Sequence, residues 1–261
     1  MRVAAAQIRS TTDVAANLVA VEAGIVAGAR AGARLIAFPE AAMSSFAASL
    51  RPVAEPLDGA FASAVRSAAH RAGVVAVVGM FEPAPDGRTH NTLLVTGVAD
   101  SGEVETSYRK VHLFDAFGSN ESDTVAPGSD FVTFAVDGIR VGLATCYDVR
   151  FAAQFTELGL RGAQLVCLPA SWGDGPGKAE QWDLLTRARA MDAQAWMLAC
   201  GQAWQPSPGS APLGIGRSVL VDPLGGVRSR LSSAPGLLVG DIDLAMVEQV
   251  RADVPVLAFM R

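Results

Sequence analysis

Short apolar runs alternate along the chain with stretches whose apolar positions recur every three or four residues, the pattern of strands interleaved with helices. Residues 3–8 read as a buried first strand. Val14, Leu18, Val21 and Ile25 fall at helical spacing, with Thr12 or Asp13 as N-cap and Gly32 closing the helix. Residues 34–38 form a second strand stopped by Pro39, and Phe61, Val65 and Ala68 or Ala69 mark a helix ending near Gly73. Residues 74–80 are almost continuously apolar, as expected of a strand covered on both faces.

Further along, residues 91–98 and 103–108 read as antiparallel strands across the turn Asp100-Ser101-Gly102. Residues 115–127 read as a polar loop. Residues 131–136 and 139–145 form a hairpin turned by Asp137-Gly138. A short helix over 152–160, a strand over 164–168 ended by Pro169 and a helix over 180–196 follow, the last with Trp182, Leu185, Met191 and Ala195 at apolar positions. Strands at 217–222 and 237–242 precede a short tail helix, and the Gly/Pro-rich stretch 205–216 reads as a loop over the fold. No repeat or interdomain linker interrupts the pattern, so residues 1–261 are expected to form one α/β domain with a mixed sheet layered by helices.

Composition narrows the class. Half the residues are hydrophobic and 18% are charged, enough to bury a sizeable core. A net charge of −5 without basic blocks argues against a nucleic-acid surface or a membrane surface. No secretory signal and no membrane-length apolar run is visible. The cysteines Cys146, Cys167 and Cys200 are odd in number, widely spaced and without C-x-x-C, which suits a reducing cytoplasm. Three scattered histidines, His70, His90 and His112, give no metal-ligand spacing, and Gly214, Gly216, Gly225 and Gly226 give no phosphate or dinucleotide loop. Neither a metal nor an organic cofactor is expected.

The chemistry concentrates at strand ends. The alternating run Ile139, Val141, Leu143 ends at Thr145-Cys146-Tyr147-Asp148-Val149-Arg150-Phe151. Phe38-Pro39-Glu40 places a carboxylate beyond one strand, and Tyr108-Arg109-Lys110-Val111-His112 an ammonium beyond another. A thiol with an ordinary pKa of about 8.5 is mostly protonated at neutral pH, so a nearby carboxylate can take its proton during attack. A lysine beside it stabilises the thiolate and then the oxyanion of a tetrahedral intermediate, helped by the backbone N–H after the cysteine. The trio Glu40, Lys110 and Cys146 therefore suits acyl transfer from an amide or nitrile. A papain-like dyad of Cys146 with His112 is the rival arrangement, and the Glu40, Lys110 and Cys146 set is favoured over it. Trp172, beyond another strand end, is expected in the pocket wall or the core. Asp148 and Arg150 are expected to pair and stiffen the nucleophile turn, and Cys167 and Cys200 to be inert.

In these motifs, F-P-E at Glu40, Y-R-K-V-H-L-F at Lys110 and T-C-Y-D-V-R-F at Cys146, the chain resembles the nitrilase superfamily of carbon–nitrogen hydrolases over essentially its whole length. The resemblance implies a four-layer-forming α-β-β-α sandwich with mixed sheets, and a homodimer or higher homo-oligomer. It also implies Glu40 as general base, Lys110 as oxyanion stabiliser and Cys146 as nucleophile, with Glu121 as a second glutamate. Tyr147, Trp172 and Arg150 are the candidate substrate-binding residues. H-L-F-D, R-A-R-A-M-D (residues 187–192) and the nucleophile motif are most similar to the omega-amidase and deaminated-glutathione amidase branch, which hydrolyses small carboxylate-bearing amides. The chain departs from that branch at Arg150-Phe151-Ala152-Ala153 and at Gly216-Arg217-Ser218, positions bearing on substrate choice. An N-carbamoyl amino acid amidohydrolase, a nitrilase and a catalytically silent scaffold on the same fold are the alternatives. Arg150, Lys178, Arg187 and Arg217 are candidates to bind a substrate carboxylate.

Overall fold

The computed structural model describes residues 1–206 and 211–260. Its first half runs β1 (Arg2–Gln7), α1 (Val14–Arg30), β2 (Leu35–Ala37), α2 (Ala60–Ala72), β3 (Val75–Pro83), β4 (Thr89–Ala99) and β5 (Gly102–Arg109). A small hairpin, β6 (Asp115–Ala116) and β7 (Ser119–Asn120), leads into a single 3-10 turn over Glu121–Asp123. The second half runs β8 (Thr133–Val136), β9 (Ile139–Leu143), a 3-10 turn over Cys146–Arg150, α3 (Ala152–Leu160), β10 (Leu165–Ala170), α4 (Lys178–Ala193) and β11 (Trp196–Gly201). It closes with β12 (Val219–Val221), β13 (Val227–Arg230), β14 (Gly236–Asp241), α5 (Leu244–Asp253) and a last 3-10 turn.

The strands make two six-stranded mixed sheets, ordered β14-β1-β2-β3-β4-β5 and β13-β12-β11-β10-β9-β8. In the first, β2 lies parallel to β1 and β3; in the second, β10 lies parallel to β9 and β11. Period-two alternation decides what each face covers. Val3, Ala5, Leu35, Ala37, Val75 and Val77 face Val141, Leu143, Leu165, Cys167 and Leu198 in a core between the sheets. Their neighbours Ala4, Ala6, Ile36, Phe38, Ala76 and Val78 point outward onto Val21 and Ile25 of α1 and Phe61 and Val65 of α2. On the other side Val166, Leu168, Met197 and Ala199 meet Phe155 and Leu158 of α3 and Trp182 and Ala190 of α4. The result is an α-β-β-α sandwich. Each fully buried aliphatic side chain contributes about 1.5–3 kcal/mol, so the three apolar layers hold the strand ends in place.

Local signals act as the sequence implies in several places. Asp13 caps α1, its carboxylate accepting from the Ala15 and Ala16 amides. Gly73 ends α2 in the left-handed region. Asp137 and Gly138 adopt positive φ of 49° and 80°, as a two-residue type I′ hairpin turn requires.

Four expectations are corrected. Helix α4 ends at Ala193, where Gln194 turns left-handed, and Trp196 opens strand β11. The run Trp196–Gly201 is buried at every position, so it carries no period to separate it from the helix before it. Pro169 lies inside β10 and does not end it. Cys167 O accepts from the Ala144 amide, so Pro169, two residues on, faces the side that β9 has already left, where no N–H is needed. The loop 115–127 contains the β6–β7 hairpin and a 3-10 turn. Strand β13 is an edge strand of polar sequence (Val-Arg-Ser-Arg) and gives no apolar signal. Of the expected loop 205–216, residues 207–210 lie outside the described residues.

Candidate active site

Three strand ends converge at one rim of the sandwich. Glu40 lies three residues past β2, Lys110 directly follows β5, and Cys146 opens the 3-10 turn after β9. Glu40 and Lys110 are almost fully buried, and Cys146 keeps 9% of its surface exposed. Lys110 Nζ donates to Glu40 Oε1 at 3.0 Å and to Glu121 at 2.9 Å (Oε2) and 3.1 Å (Oε1). Glu40 Oε2 accepts from the Ser171 amide at 2.8 Å, and Glu121 Oε2 from the Phe114 amide at 2.7 Å. Glu40, Lys110 and Glu121 therefore meet in one cluster.

The electrostatics follow from burial and pairing. Burial alone would pull the Lys110 pKa down, but Glu121, Glu40 and Cys146 outweigh it and hold it well above the usual lysine value. Lys110 is thus an ammonium at neutral pH. Burial, the Glu40 charge and a hydrogen bond with Glu40 push the Cys146 thiol well above its usual range, against the pull of Lys110. The resting residue is a thiol facing a carboxylate, which is the arrangement for proton transfer during attack rather than a standing thiolate.

Backbone strain marks two of these positions. Cys146 has φ +47° and Ala41, next to Glu40, has φ +57°, a region that L-residues seldom adopt. The Glu40 turn rests directly on Gly79 of β3: a Cβ there would lie 2.7 Å from both Ala41 N and Pro39 O. Gly79→Ala is expected to displace Glu40 and lower turnover about 10- to 100-fold, at an overpacking cost of about 1–3 kcal/mol. Parallel measurement of kcat and Tm checks this; a folded variant with unchanged kcat would show that the contact does not place Glu40.

The cluster opens into a cavity of about 460 Å³. One side is apolar, with Phe46, Leu50 and Val125; the other is aromatic and cationic, with Phe114, Phe117, Tyr147, Trp172, Arg150 and Lys178. The Arg150 guanidinium lies 5.0 Å from the Trp172 ring centroid and 5.8 Å from that of Tyr147, and Lys178 Nζ lies 4.1 Å from that of Phe117. Burial, followed by repulsion from Arg150, lowers the Lys178 pKa. Trp172 serves both expectations, lining the cavity while packing 5.4 Å from the Trp182 ring.

Of the four basic candidates, Arg150 and Lys178 border the cavity. Arg187 donates to Gly225 O, and Arg217 pairs with Asp183. The expected Asp148–Arg150 pair does not form. With about three residues per turn, positions 148 and 150 point to different sides of the 3-10 turn. Arg150 Nη2 donates to Gln181 at 2.6 Å, while Asp148 is engaged by Tyr108, Thr145 and His112. His112 contacts Asp148, stacks on Phe151 at 3.7 Å and does not line the cavity, which removes the dyad. Cys167 and Cys200 are fully buried, and burial raises both thiols far above their usual pKa.

Asn91 escaped the sequence reading. Its Nδ2 donates to Glu40 Oε1 at 2.7 Å and to Glu121 Oε1 at 3.3 Å, so one amide ties both glutamates together. A buried amide inside the apolar strand β4 was the available signal. Among the described residues no group of three or more His, Cys, Asp or Glu is placed to hold a metal ion, and no helix is long and apolar enough to cross a membrane.

A family profile described as carbon–nitrogen hydrolase matches residues 2–252. The chain belongs to the carbon–nitrogen hydrolase family. It is 49% identical to Hydrolase Rv0480c of Mycobacterium tuberculosis, over 98% of this chain and 94% of that one. It is 30% identical to Omega-amidase NIT2 of Homo sapiens, over 98% and 93% respectively. Among solved structures, the NitN amidase from Neterenkonia sp. AN1 superposes with a TM-score of 0.79 at 26% identity, covering 98% of each chain. These likenesses agree with the nitrilase-type sandwich and with a hydrolase acting on carbon–nitrogen bonds.

Proposed function

We propose that this carbon–nitrogen hydrolase cleaves the terminal amide of a small carboxylate-bearing acid, releasing ammonia through a thioester on Cys146. Cys146 Sγ attacks the amide carbon as Glu40 takes the thiol proton. The Lys110 ammonium and the Tyr147 N–H hold the resulting oxyanion. Collapse breaks the C–N bond, and Glu40 returns its proton to the departing ammonia. Water then attacks the thioester, Glu40 accepting its proton and passing it to the sulfur as the acid leaves. Glu121 keeps Lys110 oriented and charged throughout.

The observation that carries the substrate class is the pair Arg150 and Lys178. Both border the same cavity as Cys146, where Arg150 donates to the neutral Gln181 and Lys178 lies against the rings of Phe114, Phe117 and Trp172. Arg150 Nε is buried without a hydrogen-bond partner. Asp174 also borders the cavity, but its carboxylate accepts from Trp204 Nε1 and the Gly175 amide. Two cations against aromatic walls favour an anionic substrate tail, and the omega-amidase likeness points the same way.

Ammonia release from a panel of 2-oxoglutaramate, 2-oxosuccinamate, deaminated glutathione, an N-carbamoyl amino acid and a simple nitrile tests this. Turnover of the carboxylate-bearing amides is expected; turnover confined to the nitrile or the carbamoyl compound would replace the reading. Lys178→Ala should raise KM for a carboxylate-bearing amide about 10- to 100-fold, the equivalent of one charge-assisted contact, with little change for an uncharged amide. Equal effects on both substrates would remove Lys178 from anion binding.

A further inference from the structure

One of the most heavily engaged carboxylates among the described residues is one to which the proposed chemistry gives no role. Asp148 is fully buried on the turn that carries Cys146, and four donors converge on it. Its Oδ2 accepts from Tyr108 Oη at 2.6 Å and from the Thr145 amide at 2.7 Å. Its Oδ1 accepts from the His112 amide at 3.0 Å and meets His112 Nδ1 at 2.8 Å. Against an ionised carboxylate, Nδ1 is the protonated ring nitrogen.

The donors come from a telling set of positions. Tyr108 and His112 stand two residues before and two after Lys110, and Thr145 immediately precedes Cys146. One side chain therefore fastens both ends of the Lys110 segment, from the first sheet, to the start of the Cys146 turn, from the second. The tie is stiffened from outside. Tyr108 Oη also accepts from Gln154 Nε2 at 3.0 Å and the Val111 amide at 3.2 Å, and the His112 ring lies flat on Phe151 at 9°. Cys146 keeps its strained φ in the middle of this frame, and strain of that kind persists only where the surroundings over-determine it.

We propose that Asp148 is a positioning residue, whose carboxylate fixes the separation and orientation of Lys110 and Cys146 by clamping residues 108, 112 and 145 across the seam between the sheets. It touches no substrate. The inference rests on the proposed roles of Lys110 and Cys146. A buried carboxylate that merely stabilised the fold would change melting and leave the catalytic constants of the folded enzyme alone.

Asp148→Asn keeps the shape but turns one acceptor oxygen into a donor facing donors. In the folded variant kcat is expected to fall about 100-fold or more, as for an ångström-scale displacement of reacting groups, with KM within about threefold and slower alkylation of Cys146 by iodoacetamide. Tyr108→Phe, which removes a single donor, should lower kcat about 3- to 10-fold and covers the case in which Asp148→Asn does not fold. A lowered Tm with kcat and alkylation rate unchanged, in either folded variant, would overturn the proposal. Cys146→Ala serves as the control: if it retains turnover, the reading of the site fails; if it is inactive while Asp148→Asn is fully active, only the clamp fails.

Discussion

Cys146→Ala is expected to lose at least about 10⁴-fold in ammonia release while melting within a few degrees of the parent protein. The size of the loss follows from the role proposed for the side chain: without sulfur the proposed acyl-enzyme cannot form, and a lysine and backbone N–H then polarise an amide with nothing to attack it. The mild effect on stability follows from its place. Cys146 borders the cavity rather than the inter-sheet core, and it occupies a left-handed backbone position that alanine tolerates no worse than cysteine. Cys146→Ser tests the same point more sharply, because a hydroxyl has a much higher pKa than a thiol and Glu40 is a poorer match for it. Turnover retained in either variant, measured on the amide panel, would remove Cys146 from the chemistry.

Glu40→Gln is expected to lower kcat about 10²- to 10⁴-fold, the range for a positioned general base. The structure makes this change unusually clean. Asn91 Nδ2 and Lys110 Nζ both donate to Glu40 Oε1 and the Ser171 amide to Oε2, so a glutamine oxygen in the Oε1 place keeps two of the contacts while its NH₂ opposes only the Ser171 amide. Two effects should separate. The rate of turnover falls because no carboxylate receives the thiol proton. The Cys146 thiol moves back towards its ordinary range, because burial remains but the Glu40 charge that pushes it up is gone and the pull of Lys110 is less opposed. Iodoacetamide should accordingly alkylate Cys146 in Glu40→Gln at lower pH than in the parent. An alkylation profile at higher pH would contradict the electrostatic account, and an undiminished kcat would contradict the general-base role.

Much of this was legible because strand ends announce themselves. Pro39, Lys110 and Thr145 each terminate an apolar or alternating run, and the residue carrying the chemistry comes at once or directly after. The geometry of the cluster then follows from two sheets packed face to face, which the nitrilase resemblance implied and the apolar pattern alone, read as one mixed sheet, did not separate. What stayed hidden has local causes. Strand β11 merged with α4 because a run buried on both faces looks the same in either period. The partner of Asp148 was misassigned because proximity along the chain favoured Arg150, whereas the 3-10 turn sends the carboxylate to Tyr108 and His112 across the seam. The role of Asn91 was missed for a related reason: its partners lie 51 and 30 residues away and meet it only after β3, β4 and β5 pair. Lys178 could be named as a candidate but separated from Arg187 and Arg217 only once the cavity was seen.

The central claim is that one thiol, Cys146, carries the reaction. It is tested most directly by titrating the protein with iodoacetamide while following intact mass and residual ammonia release on the same samples. The account predicts that activity falls to zero in proportion to a single carboxamidomethyl group, located on Cys146, with Cys167 and Cys200 unlabelled in the folded protein. Ammonia release that persists after Cys146 is fully alkylated would contradict it.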